Sequence, residues 1–238
     1  MPQPVVVVES HLALADRFAE ICERAARRAI AARGRFALVI PGGSAADHLL
    51  PRLAHATLDW PRTDVFFSDE RFVPRTDPAS SASAANRLLF ESLGLLGPHL
   101  HAMVGDDSDP AASAKRYAEN LVATLGAAPV FDLSLLGVGE DGHVASLFPG
   151  RAAATEVTGM VLVERDSPKP PPTRLTLSLP LLAASRTVVV AAFGDGKAAV
   201  IRRVLKDAGS QLPAARLLRL AHESHVLLDP EAASALAR

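Results

Sequence analysis

Along this chain, short runs of β-branched and aliphatic residues alternate with longer stretches whose apolar positions recur every three or four residues. The first run is "VVVV" (Val5–Val8). Roughly from Ser10 to Arg33 it is followed by Leu14, Phe18, Ile21, Cys22, Ala25 and Ala29 at helical spacing, with Gly34 as a stop signal. "FALVI" (Phe36–Ile40) predicts a second strand, and a short helix is expected from about Ala45. Further strands are predicted at Asp64–Ser68, Phe131–Leu136, Thr173–Pro180, Thr187–Phe193 and Ser224–Leu228, with a helix around Ala84–Ser92. Apolar strands alternating with amphipathic helices predict an α/β fold: three layers, a mostly parallel sheet flanked by helices. Residues 1–238 are expected to form one domain, because no repeat or low-complexity tract divides them. The Pro-rich "SPKPPPTR" (Ser167–Arg174) is short enough to be an ordered loop rather than a hinge.

Composition narrows the function classes. Apolar residues make up 49% and the mean hydropathy is +0.19, ample for a large core. Lys and Arg total 25 against 26 Asp and Glu, so no basic surplus points to nucleic acid. The one dense basic cluster, Arg24, Arg27 and Arg28, reads as a solvated helix face. A single cysteine excludes an internal disulfide framework and a cysteine-based zinc site, and Cys22 reads as a small buried hydrophobe. The first residues lack the pattern of a signal peptide, and no run approaches the about 18 apolar residues of a spanning helix. The expectation is a cytoplasmic protein without nucleic-acid or membrane partners and with no obligatory protein partner.

In a parallel sheet, ligands gather at the carboxyl ends of the strands, so the residues that follow each strand carry the chemistry. After Ile40 comes "PGGSAADHLL", in which Gly42, Gly43 and Ser44 lead into a helix. Such a turn presents backbone N–H groups to an anion, or else it is a plain turn with Ser44 as N-cap. After Ser68 comes "DERFVP", in which Asp69 and Arg71 form either a surface ion pair or a phosphate clamp. After Leu136 comes "GVGEDGHVASLFPG", whose glycines would let the chain present His143 at the sheet edge with Asp141 two residues away. Lys169 and Arg174 sit in the loop stiffened by prolines. "FGDGKAA" lacks the spacing of a P-loop and reads as a helix start, with Lys197 as a lesser anion contact.

These segments, in this order and across nearly the whole chain, resemble the 6-phosphogluconolactonase family of the pentose phosphate pathway. "FDLSLLGVGEDGHVASLFPG" is the most specific part, followed by "DERFVP" and then by "KPPPTRLTLSLP" with "GDGKA". The resemblance implies a modified Rossmann-like fold shared with glucosamine-6-phosphate deaminases and ribose-5-phosphate isomerases. It implies a carboxylic ester hydrolase acting on 6-phospho-D-glucono-1,5-lactone, with neither a metal nor a cofactor. Residue by residue, it makes His143 the catalytic base supported by Asp141. It makes Gly42, Gly43, Ser44, Asp69, Arg71, Lys169 and Arg174 the substrate and phosphate contacts. Two departures stand out: Pro41 where the family often has serine, and Ser80–Ser81 where it commonly has serine-asparagine.

The chemistry suits a lactone, because a neutral histidine can take a proton from water as it attacks the carbonyl. A covalent mechanism through Ser44 or Ser146 is disfavoured, since no "GxSxG" elbow is present. The main rival is a sugar-phosphate deaminase or isomerase of the same fold. Deaminases of that kind follow "DGH" with a segment ending "NEP", whose glutamate assists ring opening, and here Leu147–Phe148–Pro149 stands in its place. A sugar-phosphate sensor without turnover is the third reading.

Overall fold

The computed structural model describes residues 3–94, 99–105 and 108–236. The chain begins with β1 (Val5–Val8), α1 (His11–Arg33), β2 (Phe36–Ile40) and α2 (Ser44–Leu53). Then come β3 (Thr63–Phe67), β4 (Asp69–Arg71) and α3 (Ser81–Ala85), which continues through a π-helical turn into α4 (Glu91–Leu93). β5 (Leu100–His101), α5 (Pro110–Leu125) and β6 (Leu133–Gly137) follow. The last third holds β7 (Val161–Glu164), β8 (Arg174–Leu177), α6 (Leu179–Ala183), β9 (Thr187–Ala192), α7 (Ala198–Lys206), α8 (Pro213–Leu220), β10 (Ser224–Leu228) and α9 (Pro230–Ala233).

Seven strands form one parallel sheet in the order β1-β10-β9-β6-β2-β3-β5, flanked by helices as the alternation predicts. Its central strands are apolar because both faces are covered: all five residues of β2 and all six of β9 are buried. α1 contributes Leu14, Phe18, Ile21, Cys22, Ala26 and Ala29 to the core and packs against α2. Ser10 caps its first turn, and Gly34 ends it at φ 76°, a left-handed conformation that glycine adopts without strain. Among the described residues no helix is long and apolar enough to cross a membrane.

The sequence reading of Thr173–Pro180 needs correction. The segment is a strand only over Arg174–Leu177, and it lies outside the parallel sheet. It is the middle strand of a three-stranded antiparallel sheet, β4-β8-β7, whose register pairs Asp69 with Thr176 and Arg71 with Arg174. The "DER" segment is therefore a strand itself, joined to β3 through Ser68, whose carbonyl accepts the Leu177 N–H at 2.8 Å. This small sheet brings Asp69, Arg71 and the 165–173 loop to the end of the large one.

The strand order sets the place of a ligand. From β2 the chain proceeds outward to β3 and β5, whereas from β6 it proceeds the other way to β9 and β10. The crevice at the carboxyl ends of β2 and β6 is thus the point where the winding reverses, and such switch points form binding sites.

Candidate active site

Two loops leave that crevice. The first is Pro41–Ser44, after β2. Gly43 is the N-cap of α2, at φ 70°, and no side chain caps the helix, so Ser44 is the first helical residue and not the N-cap of the plain-turn alternative. The N–H groups of the first turn, with the positive end of the helix dipole, are left for a ligand. Gly42 is required for a different reason. A Cβ there would stand 2.5 Å from Ser81 Oγ, so the loop lies directly on the start of α3.

The second loop, 137–143, follows β6 and folds back on itself. Gly139 N–H donates to the His143 carbonyl at 2.9 Å, and Gly142 N–H to the Gly139 carbonyl at 2.9 Å. Gly142 has φ 88°, and its carbonyl accepts the Ala214 N–H at 3.1 Å, which ties the loop to α8. Within this turn Asp141 Oδ1 lies 2.6 Å from His143 Nδ1 and accepts the His143 backbone N–H at 3.1 Å. Burial pushes the Asp141 pKa upward, but the hydrogen bonds and charge of His143 outweigh it and bring it down to about 2. An ionised Asp141 fixes the proton on Nδ1 and leaves the Nε2 lone pair free. The ring is mostly buried, 16% exposed, and rests on Phe148 with centroids 4.5 Å apart.

Beyond His143 the chain is unusually constrained. Ala145 has φ 50°, a left-handed conformation that costs a residue with a Cβ about 1–3 kcal/mol. That bend turns Ser146 inward, where its hydroxyl donates to Asp69 Oδ2 at 2.7 Å while Ser68 Oγ donates to Oδ1 at 3.0 Å. Asp69 is therefore a buried carboxylate held by two serines, not half of a surface ion pair with Arg71. Ser146, committed to Asp69, is no free nucleophile.

Between the loops lies a cavity of about 180 Å³ lined by Gly42, Gly43, Ser44, Asp69, Arg71, Gly139, His143, Lys169, Arg174 and Lys197, among others. The structure thus gathers around one space the residues named in sequence for the phosphate and the catalytic base, while Asp141 stands behind the His143 ring and Ser146 lies outside the lining. Arg71 is anchored by Nη1 donating to the Ala79 carbonyl at 2.6 Å, and its Nε is buried without a partner. Glu70 faces the other way: it accepts from the backbone N–H groups of Arg71, Ser81 and Ala82 and from the Ser80 hydroxyl. Burial raises the Glu70 pKa despite these four bonds. Ser80 caps α3, so the helix begins three residues earlier than the Ala84 expected from sequence.

Arg174 braces its own loop, donating to the carbonyls of Lys169 at 3.0 Å and Pro171 at 3.3 Å, with its guanidinium 5.9 Å over the Phe148 ring. Burial lowers its pKa against the pull of Asp69, and the nearby Arg71 charge lowers it further. Lys197, which the sequence offers as a lesser anion contact, sits on the 3-10 turn Asp195–Lys197 before α7. It lines the cavity 4.0 Å from Glu140 Oε1; burial lowers its pKa, Glu140 opposes this, and Lys169 adds to it. Four cations and the α2 N-terminus against one buried carboxylate give the cavity the chemistry that suits a small anion.

Among the described residues one cluster with metal-ligating atoms, His11, Asp229 and Glu231, is found. Its Asp229 accepts from His11 Nε2, from the Gly194 N–H, each at 2.8 Å, and from the Ala232 N–H at the start of α9.

Known proteins share this architecture. A 6-phosphogluconolactonase of Streptomyces coelicolor is 40% identical over 222 residues, which cover 87% of this chain and 85% of that protein. The Homo sapiens 6-phosphogluconolactonase is 39% identical over 204 residues, 82% of this chain and 78% of its own. The structure of 6-phosphogluconolactonase from Trypanosoma cruzi superposes with a TM-score of 0.87 at 27% identity, covering 99% of this chain and 98% of that one. A monomeric glucosamine-6-phosphate deaminase, 22% identical, shares the fold with a TM-score of 0.81 over 98% of this chain and the whole of its own. The sequence pattern of the glucosamine-6-phosphate isomerases and 6-phosphogluconolactonases matches residues 9–227, from just before α1 to the end of the sheet, and the chain belongs to that family.

Proposed function

We propose that this protein hydrolyses 6-phospho-D-glucono-1,5-lactone to 6-phospho-D-gluconate. The observation that carries the reading is the Asp141–His143 pair on the wall of a cation-lined cavity. Relatives named 6-phosphogluconolactonase, such as those of Streptomyces coelicolor and Homo sapiens, support the choice of substrate.

In this mechanism Nε2 of His143 takes a proton from a water molecule as its oxygen bonds to C1 of the lactone. The carbonyl becomes an oxyanion, stabilised by the surrounding positive field. Collapse breaks the bond between C1 and the ring oxygen, which takes the proton back from the imidazolium. Asp141 keeps the ring in the reactive tautomer and offsets its transient charge. Arg71, Lys169 and Lys197, with the N-terminus of α2 and Ser44, hold the phosphate. That remote binding energy positions C1 for attack. Arg174 keeps the Lys169 loop in place, and Asp69 lies at the cavity edge as a hydroxyl acceptor.

The deaminase reading loses support at Phe148. Where ring opening would want a carboxylate, this chain has a buried aromatic ring packed on His143. The test is hydrolysis of lactone generated in situ from glucose 6-phosphate, slightly below neutral pH, by wild type and His143→Ala, with ammonia release from glucosamine 6-phosphate followed in parallel. Fast hydrolysis abolished in the variant is the expected outcome. Ammonia release would identify a deaminase, and silence in both assays a sensor.

A further inference from the structure

A second cavity, of about 530 Å³, opens at the amino-terminal ends of β6, β9 and β10, the opposite edge of the sheet from His143. Strands of five or six residues separate the two sites by roughly 15–20 Å. Its rim carries Arg24, Arg28, Arg33 and Arg186 against two carboxylates, Asp132 and Glu223. The four guanidiniums outnumber the two carboxylates, an excess of two positive charges.

These arginines are not equivalent. Asp132 is buried, and both its oxygens are engaged: Oδ1 with Arg33 Nη2 at 2.5 Å and Arg186 Nε at 3.4 Å, Oδ2 with the Ala37 N–H at 2.9 Å. It fixes Arg33 and Arg186 beside the cavity while leaving other donors of each guanidinium free, since each carries five. Glu223 reaches toward His225, at 3.3 Å. Arg24 and Arg28, one helical turn apart on α1, form no ion pair among the described residues. Arg27, the third member of that cluster, points to Glu23 and is not part of the cavity wall. The basic cluster on α1 is therefore split, and its two unpaired members share one space with two preset guanidiniums. Behind them the wall is apolar: Ile21, Ala25, Val130 and Ala184.

We propose that this cavity is a second ligand site, for a nucleotide carrying two or more phosphates. Guanidinium forks match phosphate oxygens bidentately, and the excess of positive charge answers a polyphosphate. The apolar wall and the planar face of an arginine suit a heterocyclic base. The volume lies within the usual range for small-molecule sites.

The test is calorimetric titration of the full chain with ATP at low ionic strength, alongside pyrophosphate and adenosine separately. ATP is expected to bind more tightly than either fragment. Arg24→Glu/Arg28→Glu is expected to weaken ATP by about tenfold or more, with Arg28→Gln giving a smaller loss in the same direction and both variants melting like wild type. Lys169→Ala/Lys197→Ala, at the other cavity, is expected to leave ATP binding unchanged. No binding of millimolar ATP by wild type would overturn the proposal. So would a loss caused by the Lys169/Lys197 pair but not by the arginine variants, or pyrophosphate binding as tightly as ATP.

Discussion

The Asp141 carboxylate grips His143 twice with one oxygen, by the ring at 2.6 Å and by the backbone N–H at 3.1 Å. The second bond fixes the position of the residue and the first fixes its tautomer. Asp141→Asn keeps the shape but offers an amide that can donate to Nδ1 and so select the wrong tautomer. The rate of lactone hydrolysis, kcat, is expected to fall by about 10²-fold or more with little change in KM. The same pair carries a pH dependence. Its folded pKa of about 2 lies below the ordinary aspartate value, so the native state is favoured above that ordinary value and the gain is lost as pH falls toward 2. The melting-temperature gap between wild type and Asp141→Asn should therefore narrow on acidification. A gap that widens would show that Asp141 is not held ionised by His143.

Gly139 leaves no room for a side chain. An added Cβ would stand 2.0 Å from His143 Nδ1 and 2.6 Å from Asp141 Oδ1, well inside contact distance. Gly139→Ala must therefore push the imidazole off its carboxylate. The expected outcome is a loss of kcat comparable to that of His143→Ala, with the fold retained as judged by circular dichroism. Near-normal turnover in Gly139→Ala would mean that the dyad geometry is dispensable.

Much of this arrangement is legible in sequence, for reasons that differ by element. Phe36–Ile40 appears as a strand at its observed bounds because a continuous apolar run between turn signals has few other places to go, and Ser224–Leu228 does so on its apolar end, Val226–Leu228. β4 is not legible: "DER" has no apolar period, and it pairs only because β8, a hundred residues later, supplies the partner. For the same reason Arg174–Leu177 reads as a strand while its sheet does not. The loops that converge on the cavity are foreseeable from their positions after strands. The contact of Phe148 with His143 and the left-handed Ala145 are not, because neither residue type marks a turn or a site.

Lys197 tests how the cavity divides its labour. Its side chain is 15% exposed, with Glu140 Oε1 4.0 Å away and the charge of Lys169 acting against its own. If it holds the phosphate, Lys197→Met should raise KM for the lactone by about tenfold or more and leave kcat nearly unchanged, since the contact is made equally in ground and transition states. The opposite split, with kcat lowered at constant KM, would place Lys197 at the reacting carbonyl instead.

Glu70 lies beside the residues proposed to hold the phosphate yet takes no part in the chemistry proposed for them. It is 2% exposed, and its carboxylate accepts four hydrogen bonds, three from backbone N–H groups, that join β4 to the start of α3. Through Ser81 the same junction supports Gly42. In Glu70→Gln one oxygen becomes an NH₂ group facing N–H or O–H donors, which strands buried donors without an acceptor. The expected cost is about 2–4 kcal/mol of folding stability, measured by urea denaturation. Because Arg71 follows Glu70 directly and the glycine loop rests on Ser81, KM should also rise in the folded fraction, while kcat, set by the His143 turn across the cavity, should change less. Unchanged stability in this variant would show that the β4–α3 junction does not depend on the carboxylate.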